Sequence, residues 1–140
     1  MSDAEKSILI VDDDDAIRGL LRTILQRRGL ATDSARDGHE ALECLKRSRY
    51  AVMLLDLMMP RESGWSVLGE IARWPLDQRP IIIVITAGTE PRTLDPSLVA
   101  GTVRKPFDID MLVDTVTACV RSGPTRKKAD DQPSQTPIIN

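Results

Sequence analysis

The chain has 140 residues, the size of one domain, and a chain of that length can bury a sufficient core without disulfide staples. Nineteen basic against twenty-one acidic residues leave a net charge of -2, and 3% aromatic residues are too few for a base-stacking surface, so nucleic-acid binding is not expected. No apolar run approaches a membrane span and the polar start, Met1 to Lys6, has no signal-peptide core, which predicts a cytoplasmic protein without membrane contact.

Ile8-Leu9-Ile10-Val11 is short, apolar and β-branched and runs into acidic residues, the pattern of a buried parallel strand. Ile17, Leu20, Leu21, Ile24 and Leu25 then recur at helical spacing, predicting a helix over about 16–28 capped by Asp15 and ended by Gly29. A weaker strand is expected from Leu30 to Ser34, and Ala41, Leu42 and Leu45 mark a second helix opening after Gly38. Val52-Met53-Leu54-Leu55 is a third strand ending at Asp56. Beyond the Pro60 to Gly64 loop, Val67, Leu68, Ile71 and Trp74 form a third helical stripe, and Pro75 and Pro80 bracket its exit. Ile81 to Ile85 is the most β-branched run and ends at Thr86, predicting a central or near-central strand.

Between Ala87 and Gly101, Pro91 and Pro96 leave room for only a short helix, expected around Ser97 to Ala100. A brief fifth strand, Thr102 to Arg104, leads to Lys105-Pro106-Phe107. The stripe Ile109, Leu112, Val113, Val116 and Val120 gives a last helix. From Ser122 the chain loses periodicity, so the expected organisation is one domain over 1–121 and a disordered tail over 122–140. Cys44 and Cys119 are far apart, with His39 the only possible nitrogen ligand, and read as free thiols rather than a zinc site or disulfide.

Strands alternating with helices imply an α/β doubly wound parallel sheet with helices on both faces, and in such sheets ligands sit at the carboxyl ends of the strands. The residues just past those ends are Asp12 and Asp13, Asp56, Thr86 and Lys105. Carboxylates a few ångströms apart repel by about 4 kcal/mol per pair at an effective dielectric near 20, which calls for a cation. A hard, oxygen-preferring ion such as Mg²⁺ answers that cost, while a lysine and a hydroxyl beside it have the character of phosphate ligands. One carboxylate can then act as a nucleophile, and Asp56 alone of the three stands at the end of a central strand without an adjacent acid. Asp14 and Asp15, by contrast, read as the favourable negative start of a helix.

Ile8 to Asp14, Leu54 to Pro60 with Gly64, Ile83 to Ala87, and Lys105-Pro106-Phe107 together resemble the receiver domain of two-component response regulators, over roughly residues 6–121. The resemblance implies a flavodoxin-like five-stranded sheet of order 2-1-3-4-5. It also implies that Asp13 and Asp56 bind Mg²⁺ directly with the main-chain carbonyl of Met58, that Asp12 acts mainly through water, and that Asp56 is the phosphoacceptor. Lys105 would contact the phosphoryl group and precede a cis bond to Pro106, and Thr86 would swing toward the phosphate. The implied partner is a phosphohistidine on a sensor histidine kinase or phosphotransfer protein, with an unidentified protein target downstream.

Thr102 stands where the family usually has Tyr or Phe, and the Thr86 to Lys105 stretch is slightly short for the family, so the output face is expected to be remodelled. The expected function is a single-domain response regulator that catalyses only its own phosphorylation and dephosphorylation. Two alternatives remain: a receiver-like scaffold that is not phosphorylated, and a Mg²⁺-dependent phosphohydrolase of the haloacid dehalogenase type, whose Asp-x-Asp spacing the aspartate run contains by default.

Overall fold

A computed structural model describes residues 7–59, 64–88 and 94–122. In chain order the elements are β1 (Ser7–Val11), α1 (Asp15–Arg27), β2 (Ala31–Ala35), α2 (Gly38–Arg47), β3 (Val52–Asp56), α3 (Gly64–Ile71), a 3-10 turn (Leu76–Gln78), β4 (Ile81–Thr86), β5 (Val99–Arg104) and α4 (Ile109–Arg121). The five strands form one parallel sheet in the order β2-β1-β3-β4-β5. The doubly wound α/β architecture and the strand order agree with expectation.

Strand residues point alternately to the two faces, and the chain is apolar at both parities. Ile8, Ile10, Leu54, Ile83 and Ile85 pack with Leu21 and Leu25 of α1 and Leu112, Val113 and Val116 of α4. Leu9, Val11, Met53, Leu55, Ile82 and Val84 pack on the other side with Ala41 and Leu45 of α2 and Val67, Leu68 and Ile71 of α3. Every residue of β3 and β4 is buried, which is why those two strands read as unbroken apolar runs.

Several boundaries differ from the sequence expectation. Asp14 rather than Asp15 caps α1, its carboxylate accepting from the Ala16 and Ile17 amides, while Asp15 lies in the first turn and pairs with Arg18 at 2.6 Å. At the other end Gly29 takes a φ of 81°, and the Leu30 amide donates back to the Leu25 carbonyl. Leu30 thus closes the helix, and β2 begins one residue later. α3 stops at Ile71, so Trp74 falls in the turn beyond it, half-buried against the core.

The short helix expected at Ser97 to Ala100 is not formed. The Asp95 carboxylate accepts from both the Ser97 amide and the Ser97 hydroxyl, and the Leu98 and Val99 amides donate to the Asp95 carbonyl. One turn is closed locally and the chain then enters β5 at Val99, three residues before the expected Thr102 start. A register shift between Ile82 and Ile83 accommodates the extra residue Ala100. Among the described residues no helix lies between β4 and β5. Pro91, the Pro60 to Ser63 loop and the tail from 123 lie outside them.

Gly64 opens α3 against the end of β3. A Cβ at that position would lie 2.8 Å from the Asp56 carbonyl oxygen and 2.9 Å from Leu57 Cα, both backbone atoms that cannot move aside. Gly64→Ala is therefore expected to destabilise the domain by roughly 1–3 kcal/mol, as overpacking does. A thermal melt checks it, and an unchanged midpoint would show that α3 can retreat at no cost.

Candidate functional site

Asp12 follows β1 directly. Its amide donates to the Ala35 carbonyl at 3.1 Å and its own carbonyl accepts from the Arg18 guanidinium at 2.9 Å, so its backbone is held from both sides. The fully buried side chain accepts from the Asp14 amide at 2.9 Å through Oδ1, while Oδ2 has no hydrogen-bond partner among the described residues. Asp13, next in the chain, is exposed. Asp56 is fully buried at the carboxyl end of β3, in register with Ile85, and its Oδ1 accepts from the Met58 amide at 2.9 Å.

Oxygens of Asp12, Asp13 and Asp56 lie within 4.8 Å of one another. Lys105 reaches into this cluster from just past β5, with Nζ 3.1 Å from Asp56 Oδ2 and 3.9 Å from Asp12 Oδ2. Its amide donates to the Thr86 carbonyl at 2.8 Å and its bond to Pro106 is cis. Thr86 ends β4 almost fully buried, and its Oγ1 accepts from the Gly88 amide at 2.9 Å, leaving the hydroxyl proton to donate elsewhere. All of the residues singled out from sequence thus stand at one end of the sheet. Asp12, Asp13, Asp56 and Lys105 meet side chain to side chain, Met58 is tied in through its amide, and Thr86 is tied through Lys105.

Burial raises the Asp12 pKa to about 6, reinforced by the charges of Asp56 and Asp13 and opposed by the Asp14 amide and Lys105. Burial alone would lower the Lys105 pKa, but the hydrogen bond to Asp56 and the charges of Asp12, Asp56 and Asp13 outweigh it, and the ammonium titrates higher than usual. Three carboxylates against one ammonium leave an excess of negative charge, and Asp12 Oδ2 is a buried acceptor without a hydrogen bond. An all-oxygen donor set of this kind fits a hard divalent cation such as Mg²⁺.

A pH dependence follows. Folded Asp12 titrates near 6 against 3.8 for the ordinary carboxyl, so unfolding releases a proton between those values and stability from this group falls as pH rises through that window. Asp12→Asn should flatten that slope and stabilise the metal-free protein at pH 7, on the order of 1 kcal/mol, while weakening Mg²⁺ binding. Melting curves from pH 4 to 7 with and without Mg²⁺ check both signs, and a variant less stable than wild type at pH 7 without metal would contradict the argument.

Sequence reasoning missed two features. Arg18 clamps the Asp12 carbonyl, and the Asp15 to Arg18 spacing of three on one helix was the available signal. Arg104 lies against Gly88 at the Thr86 corner, and only its place beside Lys105 hinted at this.

Comparison with known proteins agrees with this geometry. The family model described as "Response regulator receiver domain" matches residues 8–117. The response regulator MprA of Mycobacterium leprae is 39% identical over 127 residues, covering 89% of this chain and 53% of MprA. The transcriptional regulatory protein SrrA of Staphylococcus aureus is 33% identical over 134 residues, covering 94% of this chain and 55% of SrrA, so the chain spans about half the length of these curated relatives. Among solved structures, a CheY-like receiver domain protein from Methanospirillum hungatei superposes with a TM-score of 0.77 at 30% identity, covering 87% of this chain and 99% of that one. Thermotoga maritima TrrA, solved in complex with the histidine kinase ThkA, gives 0.67 at 38% identity over 81% of this chain and 97% of TrrA. With the sheet order, the strand-end cluster and the family match in agreement, the chain belongs to the response regulator receiver family.

Proposed function

We propose that this domain is a switch thrown by phosphorylation of Asp56, with a phosphohistidine on a sensor histidine kinase or phosphotransfer protein as donor. The observation that carries the reading is the Lys105 ammonium 3.1 Å from a buried Asp56 carboxylate that shares its corner with Asp12 and Asp13. Kinship with TrrA, which was solved with a histidine kinase, supports the choice of donor.

In the proposed reaction a carboxylate oxygen of Asp56 forms a bond to phosphorus as the phosphorus–nitrogen bond of the donor breaks. The bonding pair leaves with the imidazole, and Asp56 becomes an acyl phosphate. Asp12, Asp13, Asp56 and the Met58 carbonyl would hold Mg²⁺, which supplies positive charge to the carboxylates and the phosphoryl oxygens. Lys105 pairs with a phosphoryl oxygen and Thr86 donates its hydroxyl proton to another, drawing the end of β4 toward Asp56. That movement would change what the surface near β5 binds, giving a downstream protein target something to read. The domain acts on itself and turns over no separate substrate. A cytoplasmic location and no nucleic-acid contact by this domain belong to the same reading, the latter supported by the near-neutral charge.

Incubation with acetyl phosphate and Mg²⁺ followed by intact-mass measurement tests the reading. One added phosphoryl group per chain is expected. Steady hydrolysis of phosphate esters would favour a phosphohydrolase, and no added mass would favour a receiver-like scaffold, to which the exposed Thr102 at the usual aromatic position lends some support.

Met58, 57% exposed beside Asp56, sets a second expectation. Its apolar side chain should slow water's approach to the acyl phosphate, so Met58→Asn is expected to shorten the phosphoryl lifetime several-fold. Equal dephosphorylation rates for the two proteins would remove the idea.

A further inference from the structure

The corner that holds Thr86 carries a second cation. Gly88 has a φ of 85°, and its amide is fixed by the Thr86 hydroxyl oxygen at 2.9 Å. A Cβ at Gly88 would lie 2.5 Å from Arg104 Nε, 2.7 Å from Nη2 and 2.8 Å from Cζ. The guanidinium therefore fills the space in which any other residue at position 88 would carry its side chain. Sheet register explains the meeting, because Arg104 pairs opposite Thr86. Lys105, the next residue, donates its amide to the Thr86 carbonyl.

Charge gives this placement a use. Three carboxylates, one ammonium and one divalent cation would sum to neutrality, so a phosphodonor dianion would arrive with nothing left to offset it. A guanidinium presents a planar fork of donors that matches phosphate oxygens, and it keeps its charge at any working pH.

We propose that Arg104 is a specificity residue for the phosphodonor, its guanidinium held over Gly88 at the Thr86 corner so that it attracts and orients the dianionic group before transfer to Asp56. Gly88 serves it by leaving the space empty. The inference rests on phosphorylation of Asp56, and the two are separable by experiment.

The rate of Asp56 labelling is measured on the full chain against acetyl phosphate concentration with Mg²⁺, at low and high salt. Arg104→Ala should raise the half-saturating concentration, or lower the initial slope, by roughly twofold to fivefold at low salt, the yield of one exposed charge contact. The gap should close at high salt as screening takes over, and Arg104→Lys should recover part of it. The melting temperature should not follow this pattern. Gly88→Ala, which displaces the guanidinium, should reproduce the Arg104→Ala defect and add nothing to it in the double variant, whereas its backbone strain should lower stability in either background. An Arg104→Ala protein indistinguishable from wild type at low salt overturns this inference alone. A defect that ignores salt and is not rescued by lysine also overturns it, because that is the mark of a structural role. A wild-type chain that takes no label overturns both readings.

Discussion

Asp56→Asn is expected to take no phosphoryl group from acetyl phosphate under conditions that label the wild type, while remaining folded. Asparagine keeps the oxygen that accepts from the Met58 amide, so the turn after β3 survives. It replaces the second oxygen, which faces Lys105 at 3.1 Å, with an amide nitrogen that neither attracts the ammonium nor attacks phosphorus. Removing one of three clustered carboxylates also relieves repulsion, so the metal-free melting temperature should not fall. Intact mass and a melt on the same sample separate loss of the acceptor from loss of the fold. Persistence of a full phosphoryl mass in the variant would place the acceptor elsewhere, with Asp13 the first candidate.

Lys105→Ala should show the opposite pattern of stability. Its ammonium is the one cation within 4 Å of the Asp12 and Asp56 carboxylates among the described residues, and both side chains are fully buried. Leaving them without it should cost roughly 1–3 kcal/mol in the metal-free protein, less than a wholly buried pair would because the lysine side chain is 33% exposed. Saturating Mg²⁺ should recover most of that loss, since the cation supplies the missing charge, and should bind more tightly than to wild type. The labelling rate should nevertheless fall about 100-fold, the usual cost of removing one fixed donor from a developing anion. Lys105→Arg should restore stability more than rate. A labelling rate within twofold of wild type would mean that Lys105 balances charge at rest and takes no part in transfer.

The pair of carboxylate variants and the lysine variant form a test by sign. Asp12→Asn relieves the metal-free protein and weakens the cation site; Lys105→Ala strains the metal-free protein and strengthens it. Generic damage to packing cannot give both.

Much of this molecule was legible before any coordinates. The strands β1, β3 and β4 are apolar at consecutive positions because both of their faces are covered, and that need shows in the residue types themselves. Polar residues ending those runs mark where the sheet stops, so Asp12, Asp13, Asp56 and Thr86 could be assigned to one rim by counting. Lys105 was assigned to the same rim as the residue just past the brief fifth strand, although a lysine before a proline has no periodic signal of its own.

Tertiary structure decided the rest. Whether Asp14 or Asp15 caps α1 depends on which carboxylate meets the free amides of the first turn, and adjacent identical residues give no means of choosing. The missing helix at Ser97 to Ala100 turned on competition between Asp95, which closes a single turn, and the β4 edge, which draws Val99 into the sheet. The meeting of Arg104 with Gly88 required the register of two strands whose residues lie far apart in the chain. By itself the sequence determined which segments are buried and where β1, β3, β4 and β5 end, because burial is paid residue by residue in apolar side chains. Only the folded chain decided distances between groups on different elements, because those depend on register and on how side chains divide the space between them.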